Sequence, residues 1–219
     1  NIKRIRYTTS HPKDFTKDLI EAHKNCEKLM PLVHLPVQSG SNKILKAMNR
    51  KHTVEEYLEI VQSLIKIKPN IKFSSDFIIG YPGESYEDFK ETIDLMNKVK
   101  FINSFSYIFS ARPGTPAFDF HKVDPKEAKN RLIEFQSSAE KIKTIYRGKL
   151  INKITNVLFE NKVKNENMYF GRDEYFNSVI VKSSENLIGK IKAIKITKGN
   201  QNTLLGEIIT KFDETNYAA

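Results

Sequence analysis

Four short segments of this 219-residue sequence set polar side chains among glycines and prolines: Thr8-Thr9-Ser10-His11-Pro12, Pro36-Val37-Gln38-Ser39-Gly40-Ser41, Asp76 to Glu84 and Phe109 to Pro116. Each sits at the end of a β-prone run, the place where parallel α/β folds bind their ligands. Two side chains carry the sharpest chemistry. Gln38 offers a neutral amide that can hydrogen-bond a sugar hydroxyl, and Arg50 offers a planar fork that can clamp a carboxylate. Gly80 would let backbone come close to a flat ring. Pro82-Gly83 fits a type II turn that delivers the chain to a following helix. Taken singly, any such turn reads as a plain strand-to-helix connection, and Arg50 equally as a solvated residue at a helix end. Four in series make a site.

The elements that would position them are legible in the first two-thirds of the chain. Ile2 to Tyr7, Leu32 to Val37, Ile71 to Ile79 and Phe105 to Phe109 are short β-prone runs. Between them, Thr53-Val54-Glu55-Glu56 is a capping box that opens an amphipathic helix with Tyr57, Leu58, Val61 and Leu64 on its apolar face. Ser85 opens a second helix with Phe89, Ile93 and Met96 in register. Asp124-Pro125 opens a third, with Leu132, Phe135, Ala139 and Ile142 on its buried side. Strands alternating with helices of this length predict parallel βαβ units, hence an α/β sheet or barrel. Four strands are too few for a closed barrel, which takes about eight. With no Met at Asn1, the expectation is a cut inside a longer chain, with strands upstream.

After Tyr146 the pattern changes to short β-prone runs divided by Asn, Gly, Lys and Ser: Ile154 to Phe159, Met168 to Arg172, Ser178 to Val181, Ile188 to Thr197 and Leu204 to Ile209. These predict a small antiparallel β-barrel of the OB-like size class. The expected division is therefore residues 1–146, a partial (β/α) barrel with a connector helix, residues 147–212, a small β-barrel, and residues 213–219, a tail.

Composition narrows the function classes. A net charge of +10 fits a polyanionic partner or, equally, a lysine-rich solvated surface. The single cysteine, Cys26, excludes an internal disulfide and suits a reducing cytoplasm; it also excludes an iron–sulfur cluster held by this chain alone, since clusters need three or four thiolates. The five histidines fall at no metal-ligand spacing, so no metal site is expected. No apolar run approaches the ~20 residues of a membrane span.

The strings RIRYTTSHP, HLPVQSGS, ILKAMNRKHT, SSDFIIGYPGE and FSYIFSARPGTPA, in that order, resemble the later barrel strands and loops of the methylthiotransferase branch of radical S-adenosylmethionine enzymes. TTSHP and the Arg of SARPGTPA favour the members that add a methylthio group to N6-dimethylallyladenosine beside the tRNA anticodon. Siblings acting on threonylcarbamoyl-adenosine or on a ribosomal protein are the alternatives. The C-terminal strands resemble that family's TRAM domain, a small barrel that grips tRNA, through Ile188-Gly189-Lys190 and the Leu204 to Ile209 run.

What the resemblance implies is a radical-SAM-type barrel, represented by its later strands only, followed by a TRAM-like barrel. Its cofactor would be S-adenosylmethionine, and its partners S-adenosylmethionine and tRNA, in a monomeric cytoplasmic enzyme. Gln38 and Ser39 match the strand-end motif at the cofactor's ribose. Arg50 and Asp76 match positions used on the methionine and ribose parts. Ile79 and Gly80 match the adenine-facing strand, Phe109 and Ser110 the last-strand position near adenine, and Arg112 the substrate side. The family holds two [4Fe–4S] clusters, one on a CxxxCxxC loop and one on three further cysteines. Neither set is present here, so Cys26 is a bystander and no residue of this segment is expected to be catalytic. The family mechanism, reductive cleavage to a 5′-deoxyadenosyl radical with sulfur drawn from the auxiliary cluster, belongs to the parent enzyme. A second expectation is therefore a tRNA-binding module without activity. Lys190 and Lys192 are expected on the outer face of one strand, with a slip near Ala193-Ile194, where they would contact phosphates or protect a sheet edge. Tyr169, Phe170, Tyr175 and Phe176 read as core or as a surface that stacks on bases.

Overall fold

The strand and helix signals become real elements in the computed structural model, which describes residues 2–8, 11–163 and 167–209. Thr9 and Ser10 of the first motif, and the tail, lie outside the described residues. The chain divides into two units, Asn1–Lys143 and Thr144–Ala219.

The first unit contains, in order, α1 (Lys17–Asn25), β1 (Leu32–His34), α2 (Asn42–Ala47), α3 (Val54–Ile67), β2 (Lys72–Ile79), α4 (Tyr86–Val99) and β3 (Asn103–Ile108), and α5 (Pro125–Gly148) begins within it. The three strands form a parallel sheet in the order β1-β2-β3, with Val33 opposite Phe73 and Asp76 opposite Phe105. All three expected helix starts are built as their residues dictate. Thr53 Oγ1 accepts from the Glu56 amide at 3.2 Å while Glu56 Oε2 accepts from the Thr53 amide at 2.8 Å. Ser85 and Asp88 make the same reciprocal pair at α4. Asp124 Oδ1 accepts from the amides of Lys126 and Glu127.

Alternate residues of β2 point to opposite faces. Phe73, Phe77 and Ile79 enter the core with Val33 of β1, Leu64 of α3, Phe89 and Met96 of α4 and Phe135 of α5. The rings of Phe77 and Phe135 are 4.7 Å apart, and truncation of either to alanine would cost about 3–5 kcal/mol. Their neighbours Ser74, Asp76 and Ile78 face the other way and stay partly accessible or hydrogen-bonded.

The structure corrects several expectations. Ile2 to Tyr7 is not a strand: among the described residues only Ile5 pairs, through one isolated bridge to Leu29, with the Ile5 amide donating to Lys28 O and its carbonyl accepting from the Met30 amide. The sheet therefore has three strands where the sequence pattern predicts four. β1 ends at His34, before Pro36, which has no amide to give a ladder. Cys26 caps the end of α1, a helix the sequence pattern did not delimit; α2 was likewise missed.

In the second unit, β4 (Ile154–Lys162), β5 (Met168–Arg172), β6 (Ser178–Lys182), β7 (Ile191–Gly199) and β8 (Leu204–Ile208) form a closed barrel in the order β4-β5-β6-β8-β7. Val157, Phe159, Val179, Val181, Ile194, Ile196 and Leu204 fill it. The barrel is not purely antiparallel, since β6 and β8 run parallel. Closure leaves no free edge among these strands. The irregularity in β7 falls at Ile196/Lys198 in its pairing with β8, not at Ala193-Ile194. Among the described residues no helix is long and apolar enough to cross a membrane.

Candidate nucleoside-binding site

The open face of the β1-β2-β3 sheet carries a cavity of about 650 Å³ at the strand tips, lined by Gln38, Arg50, Asp76, Ile78, Tyr81, Phe109, Ser110 and Arg112 among others. Its geometry begins with Gln38. The residue donates its amide to Asp76 O at 3.0 Å, and its own carbonyl accepts from the Ile78 amide at 2.9 Å, so it prolongs the sheet beyond β1. It does so at φ 76°, a left-handed backbone that strains any side-chain-bearing residue. The glutamine that adopts it is half-buried at the edge of the cavity.

Arg50 follows α2, and its amide donates to Leu45 O at 2.9 Å. Its Nη2 donates to Pro36 O at 3.2 Å, while Nε is buried without a partner. Among the described residues it makes no ion pair, and burial pulls its pKa down. A half-buried guanidinium with spare donors and no carboxylate is a site prepared for an anion. The carboxylate of Asp76, on the same wall, lies 3.5 Å from His34 Nε2. His11 and His52 flank Arg50, their rings 5.3 Å apart. Burial and then the Arg50 charge hold both imidazoles below their usual pKa, His52 at about 4.

The remaining wall is apolar. Phe109 continues from β3, its amide donating to Ile79 O at 2.8 Å, and its ring meets that of Tyr81 edge-on at 4.7 Å. Tyr81 is anchored by its hydroxyl, which donates to Ala47 O at 2.9 Å. Ile78 and Tyr107, paired across β2 and β3, complete a surface suited to a flat heterocycle.

Of the residues singled out in the sequence, Gln38, Arg50, Asp76, Phe109, Ser110 and Arg112 converge on this cavity. Ser39, Ile79 and Gly80 do not line it. Ser39 is buried, its Oγ accepting from the Ser41 amide at 3.1 Å and lying 3.4 Å from Thr92 Oγ1. Ile79 is on the core face of β2, one residue out of phase with Ile78. Gly80, at φ 72°, has an added Cβ position 2.8 Å from Ala128 Cβ, so its smallness serves the packing of α5. Tyr81, Tyr107 and Met48 were missed; Tyr107 shares the β3 face of Phe105, and that parity is the signal that would have found it.

On the second unit, Lys190 is exposed just ahead of β7, but Lys192 is not on the outer face. It shares the inward alternation of Ile194 and Ile196, opposite buried Val157, and is half-buried at the barrel end. The outer face instead carries Arg172, stacked 4.1 Å over the Phe176 ring and 5.2 Å from that of Phe170, with its Nε 3.4 Å from Glu160. The loop beneath is built by Asp173, whose carboxylate accepts from the Tyr175 and Asn177 amides and from Asn177 Nδ2; burial raises its pKa. Tyr169 is core, whereas Phe170, Tyr175 and Phe176 are partly exposed.

Comparison with known proteins agrees with both units. A Radical SAM superfamily model matches residues 1–96, and a TRAM domain model matches residues 148–209. The tRNA-2-methylthio-N(6)-dimethylallyladenosine synthase of Pelagibacter ubique is 56% identical over 94% of this chain and 46% of its own length. The protein of the same name from Ehrlichia canis is 47% identical over 95% of the chain and 48% of its length. The chain thus spans about half the length of the curated relatives it matches. Coproporphyrinogen III oxidase of Escherichia coli, a radical SAM enzyme, shares the fold with a TM-score of 0.51 at 13% identity, over 93% of this chain and 51% of that one. With a match to part of a radical SAM domain followed by a match to a TRAM domain, the chain is similar along almost all of its length to about half of the radical SAM tRNA-2-methylthio-N(6)-dimethylallyladenosine synthases.

Proposed function

We propose that this chain is part of a tRNA methylthiotransferase that modifies N6-dimethylallyladenosine, and that its strand-tip cavity binds S-adenosylmethionine. The observation that carries the reading is Arg50, a half-buried guanidinium without a carboxylate partner in the cavity that also holds Gln38 and Asp76. Arg50 would take the methionine carboxylate. Asp76 and the Gln38 amide would take the ribose hydroxyls, and Phe109 with Tyr81 would flank the adenine. Ser110 and Arg112, at the outer rim, are left for the substrate. When bound and reductively cleaved, the cofactor supplies hydrogen-atom abstraction. The chain's own part is to hold carboxylate, ribose and base in fixed positions and to keep water from the apolar wall. Its donor set does not fit an iron–sulfur cluster, for one cysteine cannot supply three thiolates.

Isothermal titration with S-adenosylhomocysteine tests the cavity. Binding by the wild-type chain that weakens about tenfold or more in Arg50→Met supports it; binding unchanged in that variant removes Arg50 from the site.

For the TRAM unit we propose tRNA contact through the Arg172, Phe170 and Phe176 face, a cation and two rings suited to phosphate and base. Gel-shift titration of unmodified tRNA should lose affinity steeply with salt, and Arg172→Ala should flatten that slope. A salt-independent interaction would remove the RNA reading. The setting proposed for this activity is a monomer in the cytoplasm.

A further inference from the structure

The sheet face that bears Asp76 also bears a histidine to which the cavity's reading gives no role. His34 ends β1 in register with Ser74 of β2, and Asp76 follows two residues on, so imidazole, hydroxyl and carboxylate share one face. His34 Nδ1 lies 2.9 Å from Ser74 Oγ, and Nε2 lies 3.5 Å from Asp76 Oδ1. The Phe105 ring stands edge-on to the imidazole, its centroid 6.0 Å away, and confines it from the β3 side.

This order of groups selects a tautomer. If Ser74 donates to Nδ1, the ring proton sits on Nε2 and faces the carboxylate, which can only accept when ionised. A carboxylate held in this way has less rotational freedom to lose when a ligand arrives, and one oxygen remains for that ligand. We propose that His34 is a positioning residue of the nucleoside site: set by Ser74, its Nε2–H holds Asp76 by Oδ1 and leaves Oδ2 for the vicinal hydroxyls of a ribose. The inference rests on the cavity reading given above, in which Asp76 meets the ribose hydroxyls, and deepens it by naming the residue that sets that carboxylate. Neither Ser74 nor His34 touches the ligand; both act through Asp76.

Two measurements on the whole chain test it. The first needs no ligand. Nitrogen-15 imidazole NMR should show His34 in the Nε2–H tautomer, shifting toward a mixture in Ser74→Ala and in Asp76→Asn. A mixed tautomer in the wild-type chain, or no change in either variant, would overturn the relay. The second is calorimetry with adenosine and with 2′,3′-dideoxyadenosine. His34→Ala should weaken adenosine binding about tenfold and the dideoxy ligand less than about twofold, while His34→Gln, whose side-chain amide reaches the Nε2 position, should recover adenosine to within about threefold. Equal losses for both ligands would mark a packing role and overturn the proposal, as would no loss at all. If the wild-type chain binds neither ligand, the nucleoside reading itself is rejected and this inference with it, even where the NMR shows the hydrogen-bonded chain. The two failures are thereby told apart.

Discussion

Replacing Gln38 by glycine and, separately, by alanine isolates the strain held at the mouth of the cavity. Both variants lose the same amide, so both lose the same contact to a ligand; they differ only in how they tolerate φ 76°. An L-residue in the left-handed region costs about 1–2 kcal/mol, which alanine keeps and glycine removes. Against this, the glycine chain gains about 0.4–1 kcal/mol of unfolded-state freedom over alanine. The glycine variant should therefore be the more stable of the two by about 0.5–1 kcal/mol, a difference of about 1–4 °C in melting temperature for a chain of this size. Thermal denaturation followed by circular dichroism measures it, and titration with S-adenosylhomocysteine should show both variants weakened alike. An alanine variant as stable as the glycine variant, or more so, would refute the claim that backbone strain is kept there for the sake of the side chain.

Stability should also depend on pH through His23 and His52, both buried and both held at about pKa 4, chiefly by burial. Each is neutral in the folded chain and protonates near 6.5 when unfolded. Their contribution is therefore intact above about pH 6.5 and is lost as pH falls toward 4, by about 2 kcal/mol each at pH 5 and about 3 kcal/mol each at pH 4. Chemical denaturation at pH 7 and pH 5 checks this, and equal midpoints would contradict it. Gly40→Ala should destabilise the first unit by about 2 kcal/mol or more, since the added methyl would sit 2.4 Å from the Glu91 carbonyl oxygen of α4, which cannot move as a flexible side chain would; a melting temperature within 1–2 °C of wild type, by the same size scaling, would show that the helix yields easily. Asp88→Asn should cost stability at neutral pH that it does not cost near pH 2. Burial works to raise the Asp88 pKa, but hydrogen bonds from Lys43, Ser85 and Ser41 outweigh it and leave the group at about 2, so the carboxylate's contribution fades only as pH approaches that value.

Helix starts were the most legible part of the fold, because Thr53, Ser85 and Asp124 each satisfy orphan amides with their own side chains and need no distant partner. Strand pairing was less so. Ile2 to Tyr7 has β-prone residues, but a strand exists only where another segment offers a ladder, and only Leu29 does. Among site residues, those that converge are the polar groups Gln38, Arg50, Asp76, Ser110 and Arg112 with the ring of Phe109. That Ile78 and not Ile79 lines the cavity is a matter of phase: the run Phe77-Ile78-Ile79 is apolar throughout, so nothing in it tells which isoleucine faces the cavity. The left-handed turn at Gln38 is invisible in a glutamine. Lys192 lies inward because its parity is that of Ile194 and Ile196, which its charge does not reveal.

A co-crystal of this chain with S-adenosylhomocysteine tests the central claim most directly. The ligand should lie at the strand tips with its carboxylate on Arg50, its ribose on Gln38 and Asp76, and its adenine against Phe109 and Tyr81. Ligand density elsewhere on the chain, with the Arg50 guanidinium still bonded only to the Pro36 carbonyl, would contradict it.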